Sequence, residues 1–485
     1  MFEAIELDQK ISKEKFNSAL PELRTKLLNL QHEIKNNNIP VIIIISGVEG
    51  AGKSEVVNKI NEWLDTRWIR NYAFWRESEE ELLRPRHWRF WRTLPARGTT
   101  SVMFGSWYTK PIIDRVMGDI SKSKLDQEMK FIEELEQMLI NDDALIIKFW
   151  FHISKEVSLE NVKHKKKINS PLQKEFLKKY DEFIEVSERA IRLTDTGPSP
   201  WHIVEATHRR YRDLTTGQII IDAMKKHLKN IHKNKKLNKK KRMLKSTRGK
   251  TILDTVNLGK TITDKEYRKK IDKYQNKLRE LSWAAHNEQR SVVAVFEGWD
   301  AAGKGSAIRR VTASMDARLY KVISIAAPTD EEKAHHYFWR FWRHLPPDGY
   351  LTIYDRSWYG RVLVERVEGF AEPDEWLRSY QEINDFEEQL TLHGIVLVKF
   401  WLHISKDEQL RRFEERTKVL WKKHKITEED WRNREKWEDY ELAVNEMVSR
   451  TSTVHAPWIL VPGNDKKIAR ITVVKELCDQ IKKVL

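Results

Sequence analysis

The sequence predicts an α/β protein made of two tandem copies of one domain, each a parallel β-sheet flanked by helices. Three observations predict this. The chain repeats itself at a fixed interval; each copy opens with a β-branched strand that runs into a glycine-rich loop and a helix; and strands alternate with helical segments after that loop.

The repeat comes first because it sets the frame. Gly47-Val-Glu-Gly-Ala-Gly-Lys53 recurs as Gly298-Trp-Asp-Ala-Ala-Gly-Lys304, and Trp88-Arg-Phe-Trp-Arg92 as Trp339-Arg-Phe-Trp-Arg343. Ser106-Trp-Tyr108 recurs as Ser357-Trp-Tyr359, and Lys148-Phe-Trp150 as Lys399-Phe-Trp401. The offsets 298 − 47, 339 − 88, 357 − 106 and 399 − 148 all equal 251. Pro200-Trp201 and Pro457-Trp458 are 257 apart, so the second copy holds six more residues between these landmarks. Such a period is far too long for a solenoid and means a duplicated domain. The copies span residues 1–224 and 256–485, joined by a basic linker at 225–255.

Within each copy, residues 15–35 and 265–289 read as helices, followed by strands at 41–45 and 292–296. Later strands of the second copy read at 351–354 and 395–400, and residues 409–416 read as a helix. Phe338, Phe341, Trp342 and Leu345 fall at i, i+3, i+4 and i+7, the stripe of an amphipathic helix packed on a core. This favours a core role over base stacking for the aromatic segment, so no nucleic-acid partner is expected. Arg340 and Arg343 fall off the stripe and are expected to face phosphate.

Composition narrows the class. Of 485 residues 40% are hydrophobic and 33% charged, enough for sizeable cores beneath a well-solvated surface. No apolar run reaches the roughly 18–20 residues needed to cross a bilayer, so no membrane association is expected. The first residues do not read as a secretory leader, and a single cysteine, Cys478, excludes a disulfide framework and a cysteine-based zinc site. A cytoplasmic location is expected. The formal charge of +16 suits a polyanionic partner, although residues 225–250 carry part of it with no acidic residue among them.

The segment from Gly298 to Lys304 has the strand–loop–helix context of a phosphate-binding loop. Its glycines, Gly298 and Gly303, let backbone N–H groups converge on an anion, and Gly305 and Ser306 open the following helix, whose N-terminus adds positive potential. Lys304 supplies a point charge to the transferred phosphate. The hydroxyl that usually follows the lysine is displaced by one position, to Ser306, while Asp300 sits inside the loop. A carboxylate among phosphates is repulsive unless a cation bridges them, so Asp300 is expected to hold Mg²⁺ (or Mn²⁺). A second carboxylate, Asp355, ends the strand at 351–354 and is followed by Arg356 and Arg361. The C-terminal end of a parallel strand is where ligands bind in such sheets.

The first copy departs here. Glu49 stands at the position of Asp300, Phe104 at that of Asp355, and Gly105 at that of Arg356. A phenyl ring cannot bind a metal, so catalysis is expected of the second copy. Arg411, Arg412 and Arg416 lie on the helix at 409–416, with Arg412 and Arg416 sharing a face, and could close over a phosphate chain.

With these residues in hand, the sequence resembles the polyphosphate kinase 2 family. The motifs that carry the resemblance are Glu297-Gly-Trp-Asp-Ala-Ala-Gly-Lys-Gly305, Phe341-Trp-Arg-His-Leu-Pro346, Asp355-Arg-Ser-Trp-Tyr-Gly-Arg361 and Arg411-Arg-Phe-Glu-Glu-Arg416. Asp439-Tyr440, Ala456-Pro-Trp458 and Asn464-Asp-Lys-Lys467 complete them. The resemblance implies a thymidylate-kinase-like P-loop fold with a helical lid, inorganic polyphosphate as donor and a nucleotide as acceptor. The tandem arrangement is similar to members that convert AMP to ADP. It further implies that Asp300 and Asp355 bind Mg²⁺ and that Lys304 neutralises transferred charge. Arg356, Arg361, Arg411, Arg412, Arg416 and Lys467 would grip phosphates. Nucleoside diphosphates as acceptors, an ATP-dependent kinase on the same fold, and assembly into a homo-oligomer stay open at the level of sequence.

Overall fold

The structure is a computed structural model that describes residues 1–164, 178–237, 251–419 and 426–485. Residues 238–250, the middle of the expected linker, lie outside the described residues; residues 225–237 continue the helix Arg209–Leu237.

Each copy builds a five-stranded sheet around the β-branched strand that opens it. In the first copy these are β1 (Val41–Gly47), β2 (Ile69–Ala73), β3 (Thr100–Phe104), β4 (Leu145–His152) and β5 (Trp201–Glu205). In the second they are β6 (Val292–Gly298), β7 (Tyr320–Ser324), β8 (Leu351–Asp355), β9 (Val396–His403) and β10 (Trp458–Pro462). Both sheets are parallel throughout, ordered β2-β3-β1-β4-β5 and, equivalently, β7-β8-β6-β9-β10. Helices cover both faces, so the central strands are buried along almost their whole length, and all eight residues of β4 and of β9 are buried. The edge strands β2 and β7 are mostly exposed and carry little of the core.

The centre of each sheet delivers the glycine-rich loop. At the end of β6 the chain turns close against β9: a Cβ on Gly298, at φ +149°, would lie 2.6 Å from the Leu402 carbonyl oxygen. Gly47 repeats this in the first copy, at φ +139° and 2.2 Å from the Phe151 oxygen. Only glycine fits such an approach at positive φ. The loop helices Lys53–Trp63 and Lys304–Thr312 follow.

The chain forms two compact units whose borders do not simply follow the duplication. Unit 1 comprises Met1–Glu77, Arg89–Lys240 and Thr329–His336; unit 2 comprises Ser78–Trp88, Lys241–Pro328 and Tyr337–Leu485. Ser78 and Thr329 are equivalent positions at the offset 329 − 78 = 251, and each opens a one-turn helix with a capping box, to Glu81 and Glu332. Equivalent short segments are thus traded. Within unit 2, the Asp348 N–H donates to the Leu83 carbonyl at 2.9 Å, and His87 Nδ1 lies 3.0 Å from Gln389 Oε1. Within unit 1, the Arg97 N–H donates to the Ala334 carbonyl at 2.7 Å, which is the same bond shifted by one repeat.

Candidate active site

In the second copy, the ends of β6 and β8 lie side by side, with Phe296 in register with Asp355. The loop from β6 and the turn after β8 therefore meet. Glu297, Gly298, Asp300, Lys304 and Arg356 line one cleft with Trp299, Trp401, Gln409, Asn433 and Tyr440, closed on an apolar side by Leu363 and Val364. Lys304 Nζ donates to the carbonyls of Gly298 (2.7 Å) and Trp299 (3.3 Å). Burial pushes its pKa down, while the carboxylates of Asp300, Asp355 and Glu297 act in the other direction and Arg356 adds to the lowering. Arg356 Nη2 pairs with Asp300 Oδ1 at 3.2 Å. Asp355 sits at the tip of β8, close enough to act electrostatically on both Lys304 and Arg356.

Two carboxylates and two cations are thus gathered at the glycine-rich loop. Among the described residues no group of three or more histidine, cysteine or acidic side chains forms a ready metal cage. Two hard oxygen donors beside a phosphate loop suit Mg²⁺, which commonly takes one or two carboxylates and completes its shell with phosphate oxygens and water.

Several residues of the site carry no role in the sequence reading. Glu297 is buried, accepts a hydrogen bond from Ser357 Oγ at 2.8 Å, and has its pKa raised by burial against the pull of Lys304. Trp299 stacks on Trp437 at 3.8 Å and donates from Nε1 to His403 Nδ1 at 3.0 Å, which fixes the loop from below. Gln409 donates to the Asp300 backbone oxygen, and Asn433 to its carboxylate. These partners come from distant parts of the chain, and Gln409, Asn433 and His403 belong to none of the motifs quoted above.

Other expected site residues are placed differently. Arg412 is buried with all five N–H donors taken: Nε by Glu408, Nη1 by the Ala301 and Ala302 carbonyls, and Nη2 by the Gly463 and Asn464 carbonyls. It clamps the loop to the turn after β10. Arg411 is exposed and pairs with Glu408, and Arg416 lies in the last turn of the same helix, Lys406–Lys418. Arg361 pairs with Glu365 and lies over the Tyr337 ring; Lys467 pairs with Asp264. Gly303 caps the loop helix, Gly305 lies in its first turn, and Ser306 Oγ accepts from Arg470 Nε at 2.9 Å.

The aromatic segment corrects one expectation. Its helix is a single turn, Trp339–Trp342, because Pro346 and Pro347 forbid continuation, yet Phe338, Phe341, Trp342 and Leu345 are all buried as core. Arg340 donates to the Ala326 carbonyl and Arg343 lies over the Trp339 ring, so these interactions tie both to the fold.

The first copy shows the same loop with other partners. Lys53 Nζ donates to the Gly47 and Val48 carbonyls and to Glu49 Oε1 at 3.3 Å. Ser158 Oγ donates to the Glu49 backbone oxygen, where Gln409 serves Asp300; Asn161 donates to the Gly50 oxygen, where Arg412 serves Ala301. Arg212, from the helix after β5, donates to the Ala51 oxygen. The loop is therefore braced in both copies, but Phe104 and Gly105 stand where Asp355 and Arg356 meet it.

The model of the family "Polyphosphate kinase 2 (PPK2)" matches residues 10–232 and again 261–484. The polyphosphate:AMP phosphotransferase of Pseudomonas aeruginosa is 47% identical over 489 residues, 99% of this chain and 98% of its own length. ADP-polyphosphate phosphotransferase 2 of Rhizobium meliloti is 41% identical over 199 residues, covering 41% of this chain and 65% of that protein. A crystal structure described as a polyphosphate kinase 2 from Pseudomonas aeruginosa PA01 superposes with a TM-score of 0.88, covering 100% of this chain and 99% of that one at 47% identity. With both copies matched over nearly their full length, the chain belongs to the polyphosphate kinase 2 family.

Proposed function

We propose that this chain transfers a phosphoryl group from inorganic polyphosphate to AMP, forming ADP, in the second copy and with Mg²⁺. The observation that carries the reading is the meeting of Asp300, Lys304 and Arg356 at the carboxyl ends of β6 and β8, with Asp355 beside them. The first copy keeps the loop but lacks the equivalents of Asp355 and Arg356. AMP is favoured over nucleoside diphosphates because the relative that matches the chain end to end bears an AMP name, whereas the ADP-named one matches less than half. Among the described residues no helix is long and apolar enough to cross a membrane.

Chemically, an oxygen of the AMP phosphate attacks the terminal phosphorus of the polyphosphate chain. The bridging P–O bond breaks, and the shortened chain leaves with the bridging oxygen. Phosphate oxygens are already ionised, so little proton transfer is required, and alignment and charge neutralisation supply most of the catalysis. Lys304 and the loop N–H groups neutralise the transferred group. Arg356, released from Asp300 by an incoming phosphate, grips it. Asp300 and Asp355 would hold Mg²⁺, whose charge would offset that of the phosphates. Leu363, Val364 and the tryptophans exclude water that would otherwise compete with AMP.

The test is turnover with Mg²⁺ and long-chain polyphosphate, offering AMP, GMP, ADP and GDP separately and resolving products by chromatography. ADP from AMP without ATP is expected. Asp355→Ala and Lys304→Ala should each lower kcat by about 10²–10³-fold or more, while Lys53→Ala leaves most of it. Equal loss from Lys53→Ala would overturn the division of labour, and phosphorylation only with ATP would overturn the donor.

A further inference from the structure

The carboxylate of Asp300 is held by a chain of two side chains, of which Asn433 belongs to no quoted motif. Tyr440 OH donates to Asn433 Oδ1 at 3.3 Å, and Asn433 Nδ2 donates to Asp300 Oδ2 at 2.9 Å. The tyrosine hydroxyl decides which end of the amide faces the loop: with its oxygen engaged, Asn433 must turn its NH₂ toward the carboxylate. The helix that carries Asn433, Glu428–Glu435, has no buried residue, so Asn433 does not face the loop as part of a packed core.

The backbone of Asp300 is held by a parallel device. Gln409 donates to the Asp300 carbonyl while its own oxygen accepts from Arg434 Nη1 at 3.2 Å. The two copies separate these devices by purpose. The backbone brace survives in the first copy, where Ser158 serves Glu49. The carboxylate brace differs at its tyrosine: the helices Trp437–Thr451 and Tyr180–Thr194 correspond at 437 − 180 = 257, which sets Phe183 at the position of Tyr440. The hydroxyl is missing from the copy that also lacks Asp355. A bond kept in both copies serves the fold, whereas a hydroxyl present only beside the paired aspartates points to what those aspartates do.

We infer that Asn433, oriented by Tyr440, is a positioning residue that aims the Asp300 carboxylate at its metal. An amide donor orients the carboxylate without offsetting its charge, unlike the Arg356 guanidinium on the other oxygen. This inference rests on the proposed Mg²⁺ role of Asp300.

The experiment titrates Mn²⁺ into the full chain with polyphosphate present, reading free metal by electron paramagnetic resonance, beside thermal melts and steady-state kinetics. Asn433→Ala is expected to weaken Mn²⁺ about 10-fold, and Tyr440→Phe to weaken it in the same direction but less. The double variant should match Asn433→Ala, because Tyr440 acts through it. Tm should stay near that of the unaltered chain, and the metal concentration for half-maximal rate should rise while KM for AMP does not. Mn²⁺ affinity unchanged in Asn433→Ala, or additive effects in the double variant, would overturn the inference. Asp300→Asn separates the two levels: if it too leaves Mn²⁺ binding unchanged, the metal role of Asp300 fails and the inference fails with it. If Asp300→Asn weakens the metal and Asn433→Ala does not, only the positioning role fails.

Discussion

Arg356 holds φ at +66°, a conformation that costs a residue with a Cβ roughly 1–2 kcal/mol. Its counterpart Gly105 has φ +75° at no such cost. The strain is thus carried only in the copy where a guanidinium faces the phosphate loop. His403 is a second residue under tension. Burial pushes its pKa down to about 4, and its Nδ1 must stay unprotonated to accept from Trp299. An unfolded histidine takes up a proton near pH 6.5, so between about 6.5 and 4 the unfolded chain binds more protons than the folded one. Stability should fall as pH drops through that window, by about 3 kcal/mol at most from this group. Urea melts from pH 7 to 4.5 should show a shallower acid loss in His403→Gln; an identical slope would refute it. At this scale the sequence was legible where chemistry is written locally, as in Asp300, Lys304 and Asp355. It was not legible for Arg412, whose residue type suggests a phosphate clamp but whose five acceptors are chosen by tertiary packing.

Among elements, the central strands could be read because burial on both faces demands β-branched runs, as in Val41–Gly47. The edge strands Ile69–Ala73 and Tyr320–Ser324 could not, since their exposed residues carry no apolar signature. The lysine inside each fully buried strand shows a further limit. Lys399 Nζ bonds Glu387 Oε2 (2.6 Å), Tyr359 OH (2.9 Å) and the Thr451 carbonyl (2.7 Å), and Glu387 also accepts from Trp358 Nε1 at 3.0 Å. Lys148, Glu136, Tyr108, Thr194 and Trp107 repeat the network. It pins the turn that follows Asp355 to the helix Pro373–Leu392 beneath it. Its presence in both copies assigns it to the fold. Lys399→Met would leave Glu387 buried without its cation and should cost about 3–5 kcal/mol. Differential scanning calorimetry should show a lowered transition for unit 2, and for unit 1 with Lys148→Met instead. A melt unaltered by Lys399→Met would show that the pair contributes nothing.

For the whole molecule, the duplication was plain from the constant offset, and the doubled sheet followed from it. The traded segments were not, because capping boxes at Ser78 and Thr329 mark short helices without saying which unit they join. A fragment of residues 249–485 lacks Ser78–Trp88, leaving the Asp348 N–H and Gln389 without their partners in Leu83 and His87. It should be less stable than unit 2 in the full chain, with a lower Tm. Adding residues 78–88 as a peptide should recover part of the loss. A fragment as stable as the parent would contradict the unit assignment.

The trade also bears on why a copy without its second carboxylate persists. In a tandem gene of independent domains, a half that has lost its chemistry is free to decay and be deleted. Here deletion of the first copy would also remove Ser78–Trp88, the segment that completes unit 2, so each copy holds the other in place. Substitution can change the residues at the end of a strand, as Phe104 and Gly105 stand for Asp355 and Arg356, while the copy itself stays tied to its neighbour through eleven residues, Ser78–Trp88.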